Sequence, residues 1–157
     1  MRLCIGITGA SGAIYAHRLL KKLADLDNQL ERVDVVMSKP ATDVWRFELP
    51  DQPVEQHAFK FWEPNNFWAP MASGSAGYDA MIVLPCSMGT LGRIATGQAN
   101  DLLSRSADVM LKEQRQLVLA VRETPLHKGH LELMARAADY GAVILPPMPA
   151  FYHKPET

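Results

Sequence analysis

Short apolar runs alternate with longer amphipathic stretches along this chain. Residues 3–7 form a continuous apolar run, the pattern of a strand buried on both faces. Runs of the same kind recur at 33–37, 80–84, 117–121 and 142–145, and prolines at 85 and 146–147 stop two of them. Between them the spacing turns helical. Ile14, Leu19, Leu20, Leu23 and Leu26 predict a helix over about 13–26. Ser38 followed by Pro40 predicts the start of a short helix. Ser87 opens a helix to about 95, Asn100-Asp101 opens another that ends before Arg115, and 130–140 is helical up to a stop at Gly141. Residues 48–78 break the alternation with prolines and aromatics. They read as an irregular insertion with one short strand near 57–61, and a loop of that length is functional or an interface.

Doubly buried strands alternating with helices predict an α/β fold, a parallel sheet flanked by helices on both faces. Its length of 157 residues suits a single domain. Sixteen basic against seventeen acidic residues give a net charge of −1, so no basic excess points to nucleic acid or to a membrane surface. Hydrophobic content of 48% argues against disorder, and no apolar run reaches the length of a membrane span. The N-terminus does not read as a signal peptide. Cys4 and Cys86 are too few and too far apart for a disulfide framework or a zinc site. The expectation is a soluble cytoplasmic protein with reduced thiols.

Ligands of such sheets bind at the carboxyl ends of the strands, which singles out a few short segments. The first is Thr8-Gly9-Ala10-Ser11-Gly12, small residues before a helix, suited either to a phosphate or to a tight turn. It lacks the dinucleotide G-x-G-x-x-G spacing. The second holds Ser38, a helix cap or a ligand contact, with Glu48 ten residues on. The third is Cys86-Ser87-Met88-Gly89-Thr90, again hydroxyls and glycine at a helix start, with Cys86 either a buried structural thiol or a nucleophile. The fourth is Arg122-Glu123, a phosphate or carboxylate fork or a structural ion pair. Lys112 ends the preceding helix, where it also suits the helix dipole. The last is a proline-stiffened aromatic segment that contains Tyr152 and His153. His17, His127 and His130 have no partners at metal-ligand spacing, so no metal is assigned.

Taken in order, Ile5-Gly6-Ile7-Thr8-Gly9-Ala10-Ser11-Gly12-Ala13, Leu84-Pro85-Cys86-Ser87-Met88-Gly89-Thr90-Leu91, Ala107-Asp108-Val109-Met110-Leu111-Lys112-Glu113, Val121-Arg122-Glu123-Thr124-Pro125 and Pro149-Ala150-Phe151-Tyr152-His153-Lys154-Pro155 resemble the UbiX-type flavin prenyltransferases. The resemblance implies a three-layer Rossmann-like or flavodoxin-like fold that binds FMN. It implies transfer of a dimethylallyl group from dimethylallyl phosphate to N5 and C6 of reduced FMN, without a metal. It also implies a homo-oligomer, often a dodecamer with sites between subunits, and a product used by UbiD-type decarboxylases.

On the matching motifs, Gly9, Ala10, Ser11, Ser38, Ser87, Met88, Gly89, Thr90 and Arg122 correspond to FMN contacts. Lys112, Arg122 and Tyr152 correspond to groups around the prenyl phosphate, with Arg105 near an interface and Ser73 on the substrate side. Glu48, Glu123 and Ser11 correspond to a proton-moving network, and Trp68 to an aromatic beside the isoprenyl chain. Family members continue into a final helix with another basic phosphate contact, beyond Thr157 here. Two other readings are an FMN-dependent decarboxylase of the cysteine-oxidising branch and a non-catalytic FMN-binding partner of a decarboxylase. The segment 147–152 lacks the Asn pattern of the former.

Overall fold

The computed structural model describes residues 1–150 and Tyr152. Six parallel strands form one sheet in the order β3-β2-β1-β4-β5-β6. They are β1 Arg2–Ile7, β2 Arg32–Met37, β3 Lys60–Trp62, β4 Ala80–Cys86, β5 Gln116–Val121 and β6 Ala142–Ile144. The helices are α1 Ala13–Ala24, α2 Lys39–Glu48, α3 Met88–Ala95, α4 Leu102–Lys112 and α5 Lys128–Asp139. The chain first builds outward from β1 through β2 to β3. It then returns to add β4, β5 and β6 on the other side of β1, so the order reverses between β1 and β4.

Right-handed crossovers in opposite directions place α1 and α2 on one face and α3, α4 and α5 on the other. The core divides the same way. Leu3, Ile5, Ile7, Val35 and Met37 pack with Ala16, Leu20 and Leu23 of α1 and Trp45 of α2. Cys4, Val36, Met81, Val83, Leu117 and Leu119 pack with Leu91 and Ile94 of α3, Leu103 and Met110 of α4, and Ala137 of α5. Alternate residues of each central strand thus feed opposite layers, and both layers are apolar. That is why these strands read as unbroken runs. No helix among the described residues is long and apolar enough to cross a membrane.

Some element ends differ from expectation. β4 runs past Pro85 to Cys86, with a cis Leu84–Pro85 bond and a register shift against β5 between Val83 and Cys86. Proline removes only a donor, and the Pro85 carbonyl remains usable by the neighbouring chain. α1 ends at Ala24, and α5 begins at Lys128. The irregular stretch contributes β3 at the sheet edge, slightly later than predicted, and several single 3₁₀ turns.

Two buried polar groups tie this stretch to the sheet and to α1. Asp34 on β2 is fully buried and accepts from Tyr78 Oη at 2.5 Å, from Trp62 Nε1 at 2.6 Å and from Arg32 Nε. Burial opposes its charge, but the bonds from Arg32, Trp62 and Tyr78 outweigh burial and hold its carboxyl below the ordinary value. On the opposite face His17 Nδ1 of α1 lies 3.2 Å from His57 Nε2, and Trp45 meets both rings edge-on. Burial lowers both imidazoles, and Lys21 lowers both further.

Asp34→Ala should therefore destabilise the fold by about 3 kcal/mol in urea titrations, because buried donors lose their acceptor. Asp34→Asn, which keeps an acceptor, should cost less. A buried neutral histidine pair makes the unfolded chain the better proton binder, so stability should fall as pH drops below about 6.5. His57→Phe should flatten that slope between pH 5 and 7, read from denaturant midpoints.

Candidate cofactor site

β1 and β4 end side by side, and Thr8 joins the loops that leave them. Its N–H and its Oγ1 both donate to the Pro85 carbonyl, at 3.3 and 2.7 Å. The same Oγ1 accepts from Ser87 N at 2.9 Å. The loop after β2 is drawn in by Ser38 N, which donates to the Ile7 carbonyl at 2.9 Å. Gly9 sits where this loop meets α2, and a Cβ there would come within 2.6 Å of Pro40 Cβ. Gly12 takes φ +111 to turn the chain into α1.

A crevice of about 910 Å³ opens at this rim, lined by Gly9, Ser38, Ser87 and Thr90 from the predicted set. Lys39, Glu63, Asn65, Arg93, Asn100 and Asp101 complete much of its wall. Ser87 Oγ caps α3 by accepting from Thr90 N at 3.4 Å. At a helix start the N–H groups of Met88 and Gly89 have no intrahelical acceptor, so they can serve an anion. Ser38 occupies the N-cap position of α2, yet its hydroxyl makes no capping bond. The helix-cap reading of Ser38 gives way to a hydroxyl on the crevice wall. Bare backbone at Gly9, three hydroxyls and a helix N-terminus fit a phosphorylated ligand, and the volume is ample for the ribityl phosphate of FMN.

A second group gathers at the start of α1. Glu48, the last residue of α2, accepts from Gly12 N at 2.9 Å and from Ala13 N at 2.7 Å. Burial would raise its carboxyl. The Ser11 side chain, these two N–H groups and the charge of Arg122 overcome that and lower it. Arg122 is positioned by its own N–H, which donates to the Cys86 carbonyl at 3.0 Å. Ser11, Glu48 and Arg122 thus come together from three separate segments.

The remaining candidates stand elsewhere in this chain. Glu123 is exposed, and its Oε1 accepts from Thr124 N at 3.0 Å rather than pairing with Arg122. Lys112 pairs with Glu113 just before β5 begins, at the amino ends of the strands. Arg105 donates to the Ala72 carbonyl at 3.1 Å and pairs with Asp108, and Ser73 Oγ lies 2.9 Å from Ser75 Oγ. The grouping of Lys112 with Arg122 does not occur within one chain, because α4 carries Lys112 to the opposite end of the sheet. Trp68 is 97% exposed. Ala10 borders the rim, and Met88 packs its side chain in the core. Cys86 is buried and its thiol is pushed up to about 12, which supports the packing reading. Tyr152 is exposed. His153, with Phe151, Lys154 and Pro155, lies outside the described residues. Among the described residues no three His, Cys, Asp or Glu side chains gather as a metal site.

The Flavoprotein family profile matches residues 1–152. The flavin prenyltransferase UbiX of Salmonella typhimurium is 48% identical over 99% of this chain and 82% of its own length. AnUbiX (PadA1), solved in complex with FMN and dimethylallyl pyrophosphate, superposes with a TM-score of 0.93 at 44% identity, over 99% of this chain and 82% of that one. A dodecameric FMN-dependent UbiX-like decarboxylase from Escherichia coli O157:H7 gives 0.94 at 43% identity, over 100% and 85%. A three-layer, flavodoxin-like sheet with its crevice at the β1/β4 reversal and near-full-length identity of this order lead to one conclusion: the chain belongs to the flavoprotein family, and within it to the UbiX-type flavin prenyltransferases.

Proposed function

We propose that this chain, acting as a single flavoprotein domain, transfers a dimethylallyl group from dimethylallyl phosphate to reduced FMN without a metal, supplying prenylated FMN to a UbiD-type decarboxylase. The observation that carries this reading is the pairing, at one sheet end, of an anion-binding crevice with the Ser11–Glu48–Arg122 cluster. Bound reduced FMN supplies the nucleophilic N5 and C6 that accept the allyl group. The chain supplies position, charge and proton traffic.

Ser38, Ser87, Thr90 and the backbone of Gly9, Ala10 and Gly89 bind the flavin's phosphate arm. Arg122 stabilises the negative charge that develops on the leaving phosphate as the allylic C–O bond breaks. Lys112 joins it from a neighbouring subunit, since it sits at the far end of its own sheet, and Tyr152, Ser73 and the interface residue Arg105 complete the prenyl-phosphate side. Trp68, exposed in the chain, covers the isoprenyl pocket across such an interface, excluding water and facing the allyl cation. Glu48, kept ionised by its donors, takes up a proton during ring closure with Ser11 as relay, and Glu123 serves a later proton step. Exposed Phe47, at 88%, and Met148, at 80%, add apolar surface that a homo-oligomer, as large as a dodecamer, would cover. The compartment is the cytoplasm.

Anaerobic incubation with reduced FMN and dimethylallyl phosphate should yield, by mass analysis of the extracted flavin, a species heavier by one isoprenyl unit. Unmodified flavin throughout would end the prenyltransferase reading. Glu48→Gln should slow formation of the closed-ring product by about 10²–10⁴-fold while leaving FMN affinity nearly intact. A base must be deprotonated to act, and this one is lowered. Its acid limb in the rate profile should therefore fall below the ordinary glutamate value of about 4.3. Thr8→Val should weaken FMN binding by roughly tenfold through the loss of both loop-joining bonds, and Thr8→Ser should restore it.

A further inference from the structure

We infer that Arg93 makes the crevice select a phosphorylated flavin over its unphosphorylated parent, by donating to the cofactor's terminal phosphate. The inference rests on the FMN reading of the crevice and adds a residue outside the motifs that carried the family resemblance.

Arg93 lies in the last turn of α3, where a basic residue ordinarily faces the helix's own carboxyl end. Side chains on a helix tilt toward its N-terminus, so the guanidinium runs back over Thr90 and Gly89, three and four residues earlier. Its Nη2 donates to Thr90 Oγ1 at 3.1 Å. Gly89 offers no side chain in its path, and even a Cβ built there would stay 3.9 Å from Nη1. The result is a planar cation lying along the first turn of α3, on the crevice wall beside Ser87.

Asp101 holds it there. Asp101 Oδ2 lies 3.5 Å from Arg93 Nη2. Its Oδ1 caps α4, accepting from Ser104 N and Ser104 Oγ at 2.7 Å each. The counter-ion is therefore fixed by a helix cap and does not swing with the ligand.

Two features of this arrangement point to an absent acceptor. Arg93 Nε is shielded from solvent and has no hydrogen-bond partner among the described residues, a costly state for a charged donor. Thr90 Oγ1 accepts from Arg93 Nη2 at 3.1 Å and from Ser87 Oγ at 3.2 Å, so with both bonds accepted its own proton is left for a further acceptor. Charge points the same way. Lys39 and Arg93 balance Glu63 and Asp101 around the crevice. Without Arg93 the two carboxylates would face a phosphate with a single lysine in opposition. A phosphate seated on Ser87, Gly89 N and Thr90 would take the guanidinium fork, the cation nearest that seat.

The test is titration of FMN and of riboflavin into the wild-type chain, R93Q and R93K, followed by quenching of flavin fluorescence. Wild type should prefer FMN. R93Q should raise the FMN dissociation constant on the order of 10- to 100-fold and that of riboflavin less than about threefold. R93K should fall between, since an ammonium keeps the charge without the fork. An unchanged FMN-to-riboflavin preference in R93Q, or an equal loss for both flavins, overturns the inference while leaving the FMN site standing. Wild type that binds neither flavin overturns the FMN reading itself. If R93Q fails to fold in a thermal melt, R93K decides: a preference reduced by at least about threefold supports the role, and an unchanged one overturns it.

Discussion

The Thr8 hydroxyl is the constraint on which the site depends. One oxygen donates to the loop after β4 through the Pro85 carbonyl and accepts from that loop through Ser87 N. The bond to the Pro85 carbonyl is buried and the bond from Ser87 N is half-buried, so exchanging the first for water carries the larger cost. The hydroxyl fixes the distance between two chain segments 79 residues apart in sequence. Gly9, Ser87 and Thr90 all take their positions from that distance. Tight contact of Gly9 with Pro40 locks α2 to the same rim, and α2 carries Glu48.

Glu48 shows how a fold can store charge where chemistry will use it. Helix α1 starts with Gly12, whose side chain can cap nothing, so the carboxylate of another helix takes up the first N–H groups. The same contacts that complete α1 keep Glu48 ionised. A structural cap and a proton acceptor are one group. This links the local stability of α1 to the state of the reactive carboxylate.

Much of the architecture was legible because the two core layers are both apolar, and the runs at β1, β2, β4 and β5 left little room for another reading. Ser87 and Asp101 announced α3 and α4 as caps, and both cap as expected. What failed locally has local causes. Pro85 looked like a strand end because only its missing donor was considered. Ser38 looked like a cap because its position is one, although its hydroxyl does not bond there. The His17–His57 pair was invisible because its members are 40 residues apart and neither lies in a motif. Arg93 lies in none of the motifs read along the sequence. Its use depends on the backward tilt of its side chain and on Asp101 from another helix. Lys112 and Arg105 show the limit of transfer along sequence, because motif order does not reveal that Lys112 lies at the opposite end of the sheet from Arg122 or that Arg105 is engaged by Ala72 and Asp108.

The two outermost strands, β3 and β6, are three residues each. Edges that short present almost no ladder of unpaired backbone groups for another chain to extend. Copies of this protein are therefore steered away from strand-by-strand growth, the geometry that leads to open-ended fibres. Association is left to helix and loop faces such as those bearing Phe47 and Trp68, whose shape can close on itself. The brevity of two edge strands thus favours a finite, symmetric particle over an indefinite polymer.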